Sequence, residues 1–397
     1  MKPFRPFFME TSLEGSRFVA KFNMGESGGR PRSLRSLIEG LGLDLRAAQD
    51  TLLDLTLNDS PNWGHENLRE AIAAIHPGAA PSNVLVTTGT SEALFLLFRQ
   101  LQPRKLALPM PAFQLLYEIP LSLGAQIVPL PVRWDHKNAP YLNEQEWLDV
   151  LRQESPDVIV INHPHNPSGM NISKQMLAEI IKVATEIGAI IVADEHYRFL
   201  SSDDSLLGET LYAAGNKNIF ITGSFIKCLG TPGLRIGWCV GCPEVLSRMQ
   251  NEKNYITHTV NPISEWIAQA ILSRLDSELI SEMRHEWKEN KKLLQEFLAS
   301  SKWFRGSAPS GGLVTSIGLS EFCVQKNFDD VDSILAKSGV FVLPLQTMEF
   351  GQRNAELKRT PLEMGVGFRL GLGLLPSKFK KALMTMEDAM HVFGRPQ

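Results

Sequence analysis

Between about residues 65 and 245 the sequence alternates segments of helical periodicity with short, uninterrupted apolar runs: LREAIAAI, NVLVTT, SEALFLLFRQL, KLALP, AQIVPLPV, DVIVIN, KQMLAEIIKVATEIG, AIIVADE, NIFITGS and LRIGWCVG. A run such as VIVI offers water no polar side, so the strand it forms must be covered on both faces. That is the situation of a mainly parallel sheet flanked by helices, and it predicts an α/β fold. In such sheets ligands gather at the carboxyl ends of the strands.

After Ile263 a helical region runs to about Ser300, with apolar periodicity against a charged face, and reads as a domain connector. The remainder, with PSGGLVTSIGL, GVFVLPLQ and GVGFRLGLG, reads as a smaller α/β unit that also recruits the N-terminal residues. We expect residues 1–50 to join this unit and cover the site, 51–284 to form the large domain, and 285–397 the small one. A chain of 397 residues, 43% hydrophobic, can bury cores of that size.

Composition narrows the function classes. Cys228, Cys239, Cys242 and Cys323 make no disulfide framework, which suits a reducing compartment, and Cys239-Val-Gly-Cys242 lacks a second pair to complete a zinc site. Glu10 interrupts the apolar patch near the start before a signal core can form, and no uncharged apolar run is long enough to span a bilayer. A formal net charge of −3 with both signs interspersed gives no basic footprint for nucleic acid. The expectation is a cytoplasmic protein without metal, membrane or nucleic-acid partners, acting on a small molecule.

Four strand-end segments carry polar groups suited to one chemistry. Thr87-Thr88-Gly89-Thr90-Ser91-Glu92 opens a helix, where amides and hydroxyls make a phosphate seat or, alternatively, a plain N-cap. DVIVINHPHNPSG ends a buried run with Asn162, His163, His165 and Asn166; a turn explains Asn-Pro, though not two imidazoles. AIIVADEHYRF places Asp194 at a strand end, where an unpaired carboxylate is costly and a cation is expected, such as the protonated pyridine nitrogen of pyridoxal phosphate (PLP). Strand alternation then turns His196 away from the site and leaves Tyr197 near it. SFIKCLGTPGLRIGW gathers Ser224, Lys227 and Arg235. A lysine in an apolar stretch needs work or a partner, and a Schiff-base lysine has both. Ser224 and Arg235 can reach a phosphate, although Arg235 alone reads as a surface cation.

With these residues the chain resembles the fold-type I, class I/II aminotransferase-related PLP enzymes. The resemblance implies a large domain with a mainly parallel seven-stranded sheet, a smaller α/β domain, and homodimers with shared active sites. It implies that Lys227 holds the cofactor covalently, that Asp194 meets the pyridine nitrogen, and that Asn166 and Tyr197 meet the phenolic oxygen. Thr90, Ser91, Ser224 and Arg235 would hold the phosphate. Phe113 would stack on the ring and Arg369 would bind the substrate α-carboxylate; by pattern alone these two are core and surface.

Ordinary members carry a tyrosine where NDSPNWGHENL places Asp59, which points to a cationic substrate or to a turn aspartate. METSLEGSRFVAKFNMGESGG is similar in spacing to the start of capreomycidine synthases, PLP enzymes that cyclise hydroxylated arginine. That likeness implies that Glu10, Ser27, Gly28 and Asp59 face a guanidino amino acid. His163 stands where that group leads us to expect an aromatic residue, and becomes a candidate for assisting hydroxyl departure. The likeness extends to enzymes that make L-enduracididine from 4-hydroxyarginine in guanitoxin-type pathways. An ordinary aminotransferase, or cyclisation of 3-hydroxyarginine, would share every cofactor residue named.

Overall fold

The computed structural model describes residues 2–201, 204–213, 215–320, 331–348 and 367–393, so Cys323 lies outside the described residues. The apolar runs form the central sheet. Its strands lie side by side in the order Val84–Thr87, Gly237–Val240, Ile219–Gly223, Ile190–Asp194, Val158–Asn162, Lys105–Met110, Gln126–Trp134 and Pro140–Leu142. The pairs from Ile219–Gly223 across to Gln126–Trp134 are parallel, and Gly237–Val240 runs antiparallel to both neighbours. Seven strands match the expected sheet. The eighth, Pro140–Leu142, is a short antiparallel return on the edge, in a stretch without an apolar run to announce it.

Every residue of Val158–Asn162 and Ile219–Gly223 is buried, as runs without a polar face require. The covering helices start where the sequence supplies caps. Ser173 accepts the Met176 amide ahead of Lys174–Ile187, and Asn143 accepts the Glu146 amide ahead of Glu144–Glu154. The region after Ile263 is two helices, Pro262–Leu272 and Glu278–Ser300, and residues 284 and 285 lie inside the second.

A second, antiparallel sheet orders Phe304–Gly306, Val314–Leu319, Gly367–Gly371 and Leu343–Pro344. Early residues pack beside it: Phe22–Asn23 pairs in parallel with Val340–Phe341 as a separate two-stranded sheet, and the Gly371 amide donates to Met24 O at 2.6 Å. The helix Phe8–Arg17 buries Met9 and Leu13 against Leu343 and Met348. Residues 8–29 are thus laid between the two sheets, over the carboxyl ends of the parallel strands. Among the described residues, no helix is long and apolar enough to cross a membrane.

Candidate active site

The floor of the site follows from strand register. Asn162, Asp194 and Thr222 end three adjacent parallel strands as direct neighbours. Asp194 is buried, and its carboxylate accepts from Asn162 Nδ2 at 3.1 Å and from Thr222 Oγ1 at 3.1 Å. Its only ion-pair neighbour among the described residues is His196, whose Nδ1 lies 3.0 Å from Asp194 Oδ2. Expecting His196 to point elsewhere was therefore wrong. Counted from Asp194, a period of two returns residue 196 to the carboxylate's side, and the His196 ring also packs on Tyr197 with centroids 4.1 Å apart.

Lys227 lies on the loop between Ile219–Gly223 and Gly237–Val240. Desolvation holds its ammonium below the usual lysine range; Glu26 and Glu10 oppose that shift, while Arg369 and Arg235 reinforce it. Ser224 braces this loop: its hydroxyl donates to Ile236 O at 2.8 Å and accepts the Ile226 amide at 3.1 Å. The helix Thr90–Leu101 begins nearby with Gly89 as its N-cap, and no side chain caps it. The plain N-cap reading of Thr90 and Ser91 is thus not the arrangement found. Gly89 has φ +78°, and a Cβ there would meet Arg235 Nη2 at 2.9 Å, so the glycine lets a guanidinium lie directly against the helix entry.

The N-terminal segment closes over Lys227 residue by residue. Gly25 O accepts from Arg369 Nη2 at 2.5 Å, Ser27 O accepts from the Tyr197 hydroxyl at 2.6 Å, and the Gly29 amide donates to Lys227 O at 2.7 Å. Gly28 runs so close that a Cβ would lie 3.5 Å from Lys227 O and 3.9 Å from its Cδ. Arg369, which pattern alone would place on the surface, is fully buried on Gly367–Gly371. Its Nη1 donates to Asn166 Oδ1 at 3.3 Å, and its buried Nε has no partner. Phe113 stands at the edge of this pocket against Phe7, with centroids 5.7 Å apart.

At the mouth, Arg17 Nε donates to Glu26 Oε1 at 2.7 Å and its Nη2 to Glu10 Oε2 at 3.0 Å. Sequence reasoning missed Glu26 and Arg17. A signal existed for the second, because Glu10 and Arg17 are seven residues apart and share a helix face. Asp59 is not brought to this pocket. It is exposed, with Thr259 Oγ1 at 3.5 Å.

His163 is enclosed, and its Nδ1 accepts the Ile172 amide at 3.2 Å. Burial, helped by the Arg198 charge, pushes its pKa down to about 4; burial lowers His165 to about 4 and His76 to about 3. With Nδ1 engaged by the Ile172 amide, the neutral ring keeps Nε2–H as its remaining donor. These histidines also predict a pH dependence. A base whose folded pKa lies below its unfolded value near 6.5 binds protons preferentially in the unfolded chain. Its contribution to stability is whole above 6.5 and is lost as the pH falls towards 4, on the order of 3 kcal/mol for His163 at pH 4. Urea unfolding at pH 7, 5.5 and 4.5 should show this decline, with a smaller one in His163→Asn. A midpoint that stays level across the range would rule it out.

The groups present fit PLP. A buried carboxylate without a lysine or arginine partner, a desolvated lysine, an arginine nitrogen left unpaired, and an uncapped helix entry beside a second arginine match its ring nitrogen, aldehyde, substrate carboxylate and phosphate. Comparisons with known proteins point to the same cofactor. Over 321 residues the chain is 30% identical to capreomycidine synthase of Streptomyces vinaceus, covering 78% of this chain and 79% of that one. It is 26% identical to an aspartate aminotransferase of Pyrococcus horikoshii over 348 residues, 83% of this chain and 82% of the other. The fold is also that of the PLP-dependent cyclase OrfR, with a TM-score of 0.81 at 23% identity, covering 99% of this chain and 98% of that one. Residues 44–358 match the family model of aminotransferase class I and II, and the chain belongs to that family of PLP-dependent enzymes.

Proposed function

We propose that this enzyme is a cyclase that closes a ring within a hydroxylated L-arginine by loss of water, converting 4-hydroxy-L-arginine to L-enduracididine. The observation that carries the reading is the pair of carboxylates, Glu10 and Glu26, already holding a guanidinium and close enough to act on the charges of Lys227 and Arg369. The likeness to capreomycidine synthase supports it.

In this reading Lys227 carries the cofactor, Asp194 balances the pyridine nitrogen, and Phe113 covers the ring. Thr90, Ser91 and Arg235 hold the phosphate, and Ser224 joins them only by giving up its bond to Ile236. Asn166 and Tyr197 lie on the phenolic side. When bound, PLP withdraws electrons from the substrate and so acidifies its carbon-bound protons. Arg369 fixes the α-carboxylate through its unpartnered Nε, and Ser27 and Gly28 wall the side chain. Lys227, kept neutral by its surroundings, would move the α-proton; a hydroxyl on the γ-carbon can leave only once a β-proton is removed as well, and Lys227, holding that proton as an ammonium, would give it to the departing hydroxyl. Glu10 and Glu26 hold the guanidinium so that one nitrogen faces the carbon the hydroxyl leaves; orientation of this kind is worth an effective molarity of about 10⁵ M or more. One C–O bond breaks, one C–N bond forms and one water leaves, so no oxidant is required. A homodimer in the cytoplasm completes the proposal, with Asp59 of each protomer turned to the other's site.

The test is incubation of the holoenzyme with 4-hydroxy-L-arginine, and separately the 3-hydroxy isomer, without any 2-oxo acid. Product lighter by one water, with the α-amino group retained over many turnovers, is the expected result. Strict dependence on an oxo acid, with a 2-oxo product, would instead establish an ordinary aminotransferase, the reading favoured by the aspartate aminotransferase relative.

A further inference from the structure

Arg17 places a guanidinium between two carboxylates beside a pocket whose proposed substrate brings a guanidinium of its own. Among the described residues, the Arg17 side chain bonds to these two carboxylates. The helix that it ends is anchored by Met9 and Leu13, and the next residues, Phe18 and Val19, are 88% and 80% exposed. The Arg17, Glu10 and Glu26 side chains are 36%, 44% and 33% exposed, so both ion pairs are of the weak, solvent-screened kind. Glu26, by contrast, is firmly placed. Gly25 before it is bonded to Arg369 and Ser27 after it to Tyr197. Fully buried Arg369, on Gly367–Gly371, bonds that segment through Nη2, and its unpartnered Nε leaves a place for an anionic group. A ligand with a carboxylate at one end and a guanidinium at the other would satisfy the unpaired nitrogen of Arg369 and compete with Arg17 for the two carboxylates.

We propose that Arg17 is an internal stand-in for the substrate guanidinium: it occupies the Glu10–Glu26 seat in the free enzyme and is displaced when a guanidino amino acid binds, with Glu26 sharing recognition with Glu10. This rests on the guanidino-substrate reading above. Its advantage is negative as well as positive. Two carboxylates left without a cation would attract any amine, whereas a resident guanidinium yields only to a ligand that bonds both acids equally well.

A seat occupied by its own chain weakens the apparent affinity by the fraction of molecules in which the seat is vacant. Each exposed pair is worth at most about fivefold, so removing the competitor should tighten binding by about 3- to 30-fold. The experiment titrates the holoenzyme with L-arginine and with L-citrulline, its uncharged near-isostere, and reads binding from the change in cofactor absorption. Wild type should prefer arginine. Arg17→Leu should bind arginine 3- to 30-fold more tightly with citrulline unchanged, and Glu26→Gln should weaken arginine severalfold while sparing citrulline. Citrulline binding also confirms that each variant is folded. If wild type prefers arginine but Arg17→Leu leaves its binding unchanged or weaker, the stand-in role is refuted while the guanidino reading survives. If wild type does not distinguish arginine from citrulline, the guanidino reading fails and this inference fails with it.

Discussion

Lys227→Ala is expected to cut turnover by at least about 10⁴-fold, since one side chain serves as covalent anchor, base and acid. The variant should still fold. The loop around residue 227 is held by backbone bonds, Gly29 N to Lys227 O at 2.7 Å and Leu229 N to Phe225 O at 3.0 Å, that do not need the side chain. It should also still take up cofactor through the helix entry and Arg235, but release it on denaturation. Borohydride treatment of the wild-type holoenzyme followed by peptide mapping gives the direct reading. Label on the Lys227 peptide is the expected result, and label on any other lysine would remove Lys227 from its role.

The second large effect concerns Asp194. Replacement by asparagine retains the volume and the ability to bond Thr222 and Asn162, yet removes the charge that balances a pyridine nitrogen. A loss of about 100- to 1,000-fold in kcat is expected, the usual cost of removing a pre-placed electrostatic group. Asp194→Ala should do the same and also lose stability, because Asn162, Thr222 and His196 would each lose a buried partner. Comparing the two separates charge from packing. Turnover near the wild-type rate in the asparagine variant would leave Asp194 a purely structural anchor for three strand ends.

Much of this site was legible because buried runs of valine and isoleucine end abruptly in polar residues, and a parallel sheet collects those ends in one place. Asn162, Asp194 and the Lys227 loop were found in that way. The position of Arg369 was not, since nothing in GFRLG alone distinguishes a buried cation from a surface one; the resemblance supplied it. His196 was misjudged because its side was assigned relative to Tyr197; counted from Asp194, a period of two puts it beside the carboxylate, where it is found. Arg17 and Glu26 escaped for a different reason: their pairing joins a helix to a loop, and such closures are set by the packing of Met9 and Leu13 rather than by any local pattern. Asp59, expected at the pocket, is instead exposed beside Thr259.

The strap formed by residues 22–29 also sets a timetable for synthesis. These residues leave the ribosome early, yet the strand they pair with, Val340–Phe341, and the Gly371 amide that holds Met24 O are made more than three hundred residues later. At ordinary translation speeds that interval is tens of seconds. The parallel sheet that carries Lys227 and Asp194 can meanwhile assemble from contiguous chain, so the nascent protein passes through a stage with its strand ends uncovered. Cofactor would have open access to the lysine at that stage, and the one carboxylate of the strap, Glu26, would arrive last, as the cover is drawn across.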